Sequence, residues 1–356
     1  MARHFKLSLG ELTYKETIIV ALHTADGLVG YGESSTFPLP TFTQETTESC
    51  MHVQTTFIAP RLVEKEFTTV QSFRDAYADL LGNPIAQAGM ECAFWHLLSQ
   101  YQKVSLKELV GGTKKEIPVG ESISINPSLE ETLREVEQRL NEGYVRIKLK
   151  IMPGWDTAIV SAVRNAWPHI ELTVDGNMSY RLEKHERVLR SLDAFRLTMI
   201  EQPFKMDNLV DHAALQRGLK TAICLDESIT SAQNLATAHV LRACKIVNIK
   251  PVRVGGLDES LKIYDYALSH GIAVWCGGMF ETGIGRAFNI ALASKEGCNL
   301  AADMSPYNMY LTEDLIDPSY EVKPNGHIDV PDEPGLGYHI RVDRIKKYTL
   351  QKEVIT

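Results

Sequence analysis

Several large protein classes are excluded by what this sequence lacks. Its six cysteines, Cys50, Cys92, Cys224, Cys244, Cys276 and Cys298, form no CxxC pair and are spread along the chain. Neither a zinc signature nor a disulfide framework is present, and reduced, buried thiols are the expected state. No apolar run is long enough to span a bilayer. The opening segment, MARHFKLSLGELTYKE, has no apolar stretch of the kind that directs secretion, so the cytoplasm is the expected location and no membrane partner is expected. Basic residues do not dominate either: 37 Lys and Arg face 45 Asp and Glu, a net charge of -8. A nucleic-acid binder would show the opposite balance or a basic patch. No segment is of low complexity.

What is present is a globular chain of 356 residues, 44% hydrophobic and 23% charged, long enough for a barrel and a companion domain. Residues 1–112 read as an α+β block. ETIIVALHT and LVGYGES are two strands joined at Asp26-Gly27, a hairpin signal. A Pro-rich loop, FPLPTF from Phe37 to Phe42, follows, then helical patterns over about 44–58, 68–81 and 84–102. Gly111-Gly112 marks a boundary. Over 113–316, short apolar strands alternate with amphipathic helices such as LEETLREVEQRL and AQNLATAHVLRA. The strands are IPVGESIS, YVRIKLKI, IELTVDGN, LTMIEQPF, AICLDES, KIVNIKP, IAVWCGG and LAADMS. Eight successive βα units predict a closed parallel (β/α) barrel of the α/β class. The tail, from about 317 to 356, is expected to return to the first block and complete it as a capping domain.

The last polar residue of each strand recurs at a fixed interval. Lys150, Asp175, Glu201, Asp226 and Lys250 are spaced by 25, 26, 25 and 24 residues, and Cys276 and Asp303 continue the series. One βα unit has this length, so the series sets one such residue at the same end of each strand, the end where barrels of this kind carry their sites. Turn-favouring Asp at a single strand end would mean nothing. Five consecutive charged ends in phase are hard to reach by chance. Asp175, Glu201 and Asp226 close three neighbouring strands about 4.8 Å apart and would repel one another unless a hard cation joined them. Mg²⁺ suits such an all-oxygen set, and Mn²⁺ would fit similar ligands. Glu227, one residue on, should be turned away by strand alternation.

In YVRIKLKI the apolar set, Val145, Ile147, Leu149 and Ile151, should face the helices. Arg146, Lys148 and Lys150 should then point into the barrel, where charges are costly unless paired or used. Lys148 beside Lys150 should lower the proton affinity of whichever is less solvated, which favours a base. Lys250 lies on strand six, opposite strand two in an eight-stranded ring. A small-molecule carboxylate held by the metal would lie between Lys150 and Lys250. Bases on both faces of one carbon allow racemisation, and the same pair can serve an elimination. Removing a proton next to a carboxylate creates an enediolate, whose added charge a bound cation would stabilise.

These residues resemble the enolase superfamily, muconate lactonizing subgroup, and within it the o-succinylbenzoate synthase / N-acylamino acid racemase family. The resemblance rests on Lys148-Leu149-Lys150, Asp175-Gly176-Asn177, Met199-Ile200-Glu201-Gln202-Pro203 and Leu225-Asp226-Glu227-Ser228. Asn248-Ile249-Lys250-Pro251 and the run from Gly277 to Ala287 (GGMFETGIGRA) extend it over nearly the whole chain. It implies that Lys150 and Lys250 are the acid/base pair, tuned by Lys148, and that Asp175, Glu201 and Asp226 hold Mg²⁺. It also implies substrate contacts from Asn177, Ser122, Phe42 and the backbone of Gly277, Gly278 and Met279, with Pro38–Phe42 as a loop over the site. Arg253, three residues after Lys250, resembles members that racemise. The implied activity is dehydration to o-succinylbenzoate for menaquinone synthesis, with N-succinylamino acid racemisation on the same site or, alternatively, a dedicated N-acylamino acid racemase. Muconate cycloisomerisation is more distant, and a barrel that only binds is disfavoured by the five charged strand ends. Assembly into homo-oligomers is implied as well. The strand that such proteins carry at the N-terminus is missing or shortened here. Strand eight, Asp303-Met304-Ser305, lacks the second aspartate of dipeptide epimerases.

Overall fold

The computed structural model describes residues 14–356 in full. Before them it describes the backbone of two short strands, β1 (Phe5–Leu7) and β2 (Gly10–Leu12), paired antiparallel. A shortened first strand is therefore present, and residues 1–4, 8, 9 and 13 lie outside the described residues.

The predicted hairpin is β3 (Ile18–His23) against β4 (Val29–Ser34), with Gly27 at φ +92° in the turn. Three helices follow, α1 (Thr47–Val53), α2 (Val70–Asp75) and α3 (Pro84–Gln102). Small residues decide how this block packs. A side chain at Gly30 or Gly32 would run into the backbone of α3 at Ala93 or Gly89, so the sheet lies directly on the helix. Glu45 accepts from Ile85 N and Ala86 N at 2.9 Å each, satisfying donors at the α3 N-terminus. The short helix α4 (Leu106–Leu109) leads to Gly111, at φ +70°, and the barrel.

The barrel strands are β5 (Glu116–Ile123), β6 (Arg146–Lys150), β7 (Glu171–Asp175), β8 (Met199–Glu201), β9 (Ala222–Leu225), β10 (Ile246–Ile249), β11 (Ala273–Cys276) and β12 (Ala302–Asp303). They pair in parallel in the order β11-β10-β9-β8-β7-β6-β5-β12. Between them run α5 (Leu129–Asn141), α6 (Thr157–Ala166), α7 (Leu182–Ser191), α8 (Leu209–Arg217), α9 (Ala232–Leu241), the short α10 (Pro251–Val254) with α11 (Leu257–Ser269), and α12 (Gly283–Ala293). The eight strands and the barrel class stand as predicted. Two details differ. Among the described residues β11 and β12 share no ladder, so one seam of the ring is open. No α-helix follows directly on β12; a 3₁₀ turn at Tyr307–Met309 and then the tail take its place. The eighth strand has only two paired residues and offers little edge for either neighbour.

In the tail, β13 (Ile316–Asp317) pairs with β15 (His339–Ile340), and β14 (His327–Asp329) pairs antiparallel with the lower part of β5. The tail also reaches the first block, where Ser99 Oγ accepts from Gly335 N at 2.7 Å, and ends in α13 (Val342–Tyr348). No helix of the described residues is long and apolar enough to cross a membrane.

Two buried carboxylates of the first block join it to the barrel. Glu33 accepts from Thr282 Oγ1 at 2.7 Å and from Gly285 N at 2.9 Å, at the start of α12. Glu91 accepts from Asp258 N at 2.8 Å, at the start of α11, and also pairs with Arg74. Helix N-termini carry unpaired N–H groups and partial positive charge, and these two acids answer both.

Candidate active site

The lower half of the barrel interior is filled by Met199, Cys224, Ile246 and Trp275. Above this floor the inward positions become charged. On β6, Ile147 and Leu149 pack outward into the main core, whereas Arg146, Lys148 and Lys150 are buried facing in. Arg146 and Lys148 each lie 5.0 Å from the Trp275 ring centre. Gly120, the register partner of Arg146 on β5, leaves room for the guanidinium; a Cβ there would meet Arg146 Nε at 2.5 Å.

Lys150, Asp175 and Glu201 are successive register partners across β6, β7 and β8. Lys150 Nζ donates to Asp175 Oδ2 at 2.7 Å. Lys148 Nζ donates to Glu201 Oε2 at 3.0 Å, lies 3.7 Å from Asp175 Oδ2 and pairs with Asp303, which also binds Arg146. Beyond β9, Asp226 accepts from Lys250 Nζ at 2.6 Å and from Arg253 Nη1. Asn248 donates to the other oxygen of Glu201 at 2.7 Å. For Lys148, Asp175 and Asp303, burial favours the neutral form but the opposite charges win. Lys148 is pulled down by burial, yet Asp303, Glu201 and Asp175 hold it well above the usual lysine value. Asp175 is raised by burial and brought below the usual range by Lys150 and Lys148, and Asp303 likewise by Lys148 and Arg146. The positive charge expected of Lys148 toward Lys150 is thus largely offset by three carboxylates.

As arranged, an ammonium stands between Asp175 and Glu201. Among the described residues, no three His, Cys, Asp or Glu converge on a point able to hold a metal. The donor set nonetheless suits a hard cation: three buried carboxylates from consecutive strands, all oxygen, each needing a counter-charge. Two further buried oxygens beside them, Asn177 Oδ1 and Glu227 Oε2, have no hydrogen-bond partner.

Above these pairs opens a cavity that Lys148, Lys150 and Lys250 line from β6 and the end of β10, which stand four strands apart in the ring. Ser122 lines it from β5, its buried Oγ without a hydrogen-bond partner. Phe42 closes it from the first block, 5.3 Å from the Phe37 ring. Gly278, Phe280 and Arg286 line the far side.

Three expectations change. Cys276 fits the spacing but not the phase: it pairs with Ile249 and packs outward, while its neighbour Trp275 lies in the interior floor. Glu227 is not turned away. The strand ends at Leu225, so alternation no longer applies, and the side chain turns back to take Asn177 Nδ2 at 3.4 Å. Burial and Asp175 push its carboxyl up to about 7. Met279 does not face the cavity; its side chain packs with Phe37, Ile18 and Val252, its N–H donates to Glu281 and its carbonyl accepts from Ser35. Gly277 lies behind, against Asn248 and Lys250. Phe280, Arg286, Ser305 and Tyr310 line the cavity without having been singled out. Their signal was weak, since all four come from loops or a helix rather than from the strand series.

Residues 131–344 match the family described as enolase C-terminal domain-like, and residues 1–111 match the mandelate racemase / muconate lactonizing enzyme N-terminal domain. The chain belongs to the enolase superfamily. Among its relatives in this superfamily, an o-succinylbenzoate synthase of Bacillus subtilis is 43% identical over 100% of this chain and 95% of its own length. An N-succinylamino acid racemase of Thermus thermophilus is 41% identical over 97% of this chain and 93% of its own. A crystal structure of an enolase superfamily member from Listeria innocua superposes with a TM-score of 0.94 at 39% identity, covering 98% of this chain and 94% of that one.

Proposed function

We propose that this enolase-superfamily enzyme removes the proton next to a substrate carboxylate with Mg²⁺ bound. Its reaction is the dehydration of 2-succinyl-6-hydroxy-2,4-cyclohexadiene-1-carboxylate to o-succinylbenzoate, the step of a cytoplasmic menaquinone pathway. The observation that carries this reading is the pair Lys150 and Lys250, which reach one cavity from β6 and from the end of β10 across the ring. Asp175, Glu201 and Asp226 would hold the cation, Mg²⁺, with Mn²⁺ suited to the same oxygen ligands. When bound, it supplies electrostatic stabilisation for the charge that builds on the substrate carboxylate.

The chain's own residues do the rest. Lys150 Nζ, as the amine, accepts the proton from the carbon bearing the carboxylate. The electron pair of that C–H bond forms the new ring double bond as the neighbouring C–O bond breaks. The hydroxyl departs as water, taking its proton from the Lys150 ammonium. Lys250, still protonated, stabilises charge from the opposite face. Ser122 Oγ offers its unused hydrogen bond to the substrate, Asn177 borders the reacting end, and Phe42 excludes water.

A second reading, N-succinylamino acid racemisation, is favoured by Arg253. It shares Asp226 with Lys250 and so sets the surroundings of the second base. Here Lys150 takes the proton from one face and Lys250 returns one to the other. Purified protein with Mg²⁺ tests both: ultraviolet absorbance follows the dehydration, and solvent deuterium entering N-succinyl amino acids follows the racemisation. Folded protein inactive in both assays overturns the proposal.

A further inference from the structure

Lys148 Nζ reaches three carboxylates, and only two of them belong to the set that would hold Mg²⁺. Glu201 Oε2 accepts from it at 3.0 Å, and Asp175 Oδ2 lies 3.7 Å away. The third, Asp303 Oδ2, is not in that set. The other oxygens of the two ligand acids are engaged elsewhere: Asp175 Oδ1 accepts from Asn177 N at 2.8 Å and Glu201 Oε1 from Asn248 Nδ2 at 2.7 Å. The oxygens that Lys148 faces are therefore those a cation would take. An ammonium there competes with a dication for the same lone pairs and repels it. Lys150 also donates to Asp175 Oδ2; as the amine that begins the reaction it sets no charge against the cation.

Position in the ring separates the three acids. The strands run in the order β8-β7-β6-β5-β12. Asp175 and Glu201, on β7 and β8, stand to one side of Lys148, and Asp303, on β12, stands to the other. The pull of Asp303 is thus away from the metal ligands, and its carboxylate is fixed for that pull. Oδ1 pairs with Arg146, whose guanidinium occupies the space left by Gly120 and lies 5.0 Å from the Trp275 ring centre. The Asp303 carbonyl accepts from Arg286 Nη1 at 2.6 Å. Oδ2 is turned to Lys148. A buried ammonium needs an anion. Among the described residues, Asp303 is the acid paired with Lys148 that the cation would not claim.

We propose that Asp303 is a positioning residue that draws the Lys148 ammonium off Asp175 and Glu201, so that these two acids are open to Mg²⁺. This role rests on the proposed Mg²⁺-dependent reaction and readies its ligands.

Calorimetric titration with MgCl₂ in the absence of substrate tests it, on the unmodified enzyme, Asp303→Asn, Lys148→Met and the variant carrying both changes. Asp303→Asn should weaken Mg²⁺ binding by about 10- to 100-fold, the usual loss when a partner beyond the ligands is removed. Lys148→Met should not weaken it. In that background Asp303→Asn should change the affinity by less than about threefold, since no ammonium is left to intrude. Asp303→Asn alone removes a negative charge and leaves Arg146 unpaired. Arg146→Met combined with Asp303→Asn corrects both, should bind Mg²⁺ as weakly as Asp303→Asn, and stands in if that variant does not fold. Unchanged affinity in Asp303→Asn, or affinity restored by adding Arg146→Met, would overturn the proposal. So would weaker binding in Lys148→Met, or an equal fall from Asp303→Asn with and without Lys148, either of which would leave Asp303 as no more than one negative charge near the site. An unmodified enzyme that binds no Mg²⁺ would instead overturn the reaction class.

Discussion

The rim of the barrel is built in two ways. From β6 to the end of β10 it consists of charged side chains at strand ends: Lys150, Asp175, Glu201, Asp226 and Lys250, each buried and each in an ion pair. From β11 through β12 to β5 the strand ends add one charge, Asp303, which is turned to Arg146 and Lys148, and the rest is glycine, hydroxyls and a helix-borne arginine: Gly278, Ser305, Ser122 and Arg286. The first arc stands on paired strands that fix its spacing. The second straddles the open seam and depends on contacts made elsewhere, above all on Glu33 and Glu281. The charged arc is suited to chemistry, and the second arc to shape and selection.

Substitutions can break or sharpen this contrast. The largest effect is expected on the charged arc. Lys250→Ala should cut racemisation by about 10²–10⁴-fold, measured by deuterium exchange, with Mg²⁺ affinity retained; persisting racemisation would remove Lys250 from the acid/base pair. Asp226→Asn should weaken Mg²⁺ binding by at least about tenfold, read by calorimetric titration, and an unchanged isotherm would take Asp226 out of the ligand set. On the second arc the effects should be structural or modest. Glu33→Gln removes a charged acceptor from the start of α12 and should destabilise the fold by about 1.5–3 kcal/mol, seen in urea denaturation. A value near zero would show that α12 does not rely on it. Ser122→Ala should raise KM by up to about tenfold with kcat nearly unchanged; a loss in kcat instead would give Ser122 a part in the chemistry.

The same division explains what could be read from the sequence. The first arc was legible because strand alternation and a constant βα length place residues predictably. Arg146, Lys148 and Lys150 therefore point inward as expected. The rule fails where the strand stops. Glu227 belongs to a turn and swings back to Asn177, and Cys276 has the right spacing but the outward phase. On the second arc Ser122 and Gly278 were named only through the family resemblance, and the other cavity-lining residues were not legible, because helix phase and loop path set them. Phe280, held at φ +59°, and Tyr310, its edge-on neighbour at 4.9 Å, reach the cavity through backbone turns that no periodicity announces. The missing ladder between β11 and β12 was equally hidden, since LAADMS looks like any other strand.

The reach of Glu91 and Glu33 into the barrel also bears on how the molecule comes apart. Helix α11 begins at Gly256 with no side-chain cap of its own, and Glu91 stands so close to Gly256 that any larger residue there would strike its carboxylate. A barrel cut free at Gly112 would expose that helix end and a broad apolar face of α12 at once. Heat or denaturant should therefore melt both blocks in one cooperative transition, and residues 113–316 produced alone should not fold.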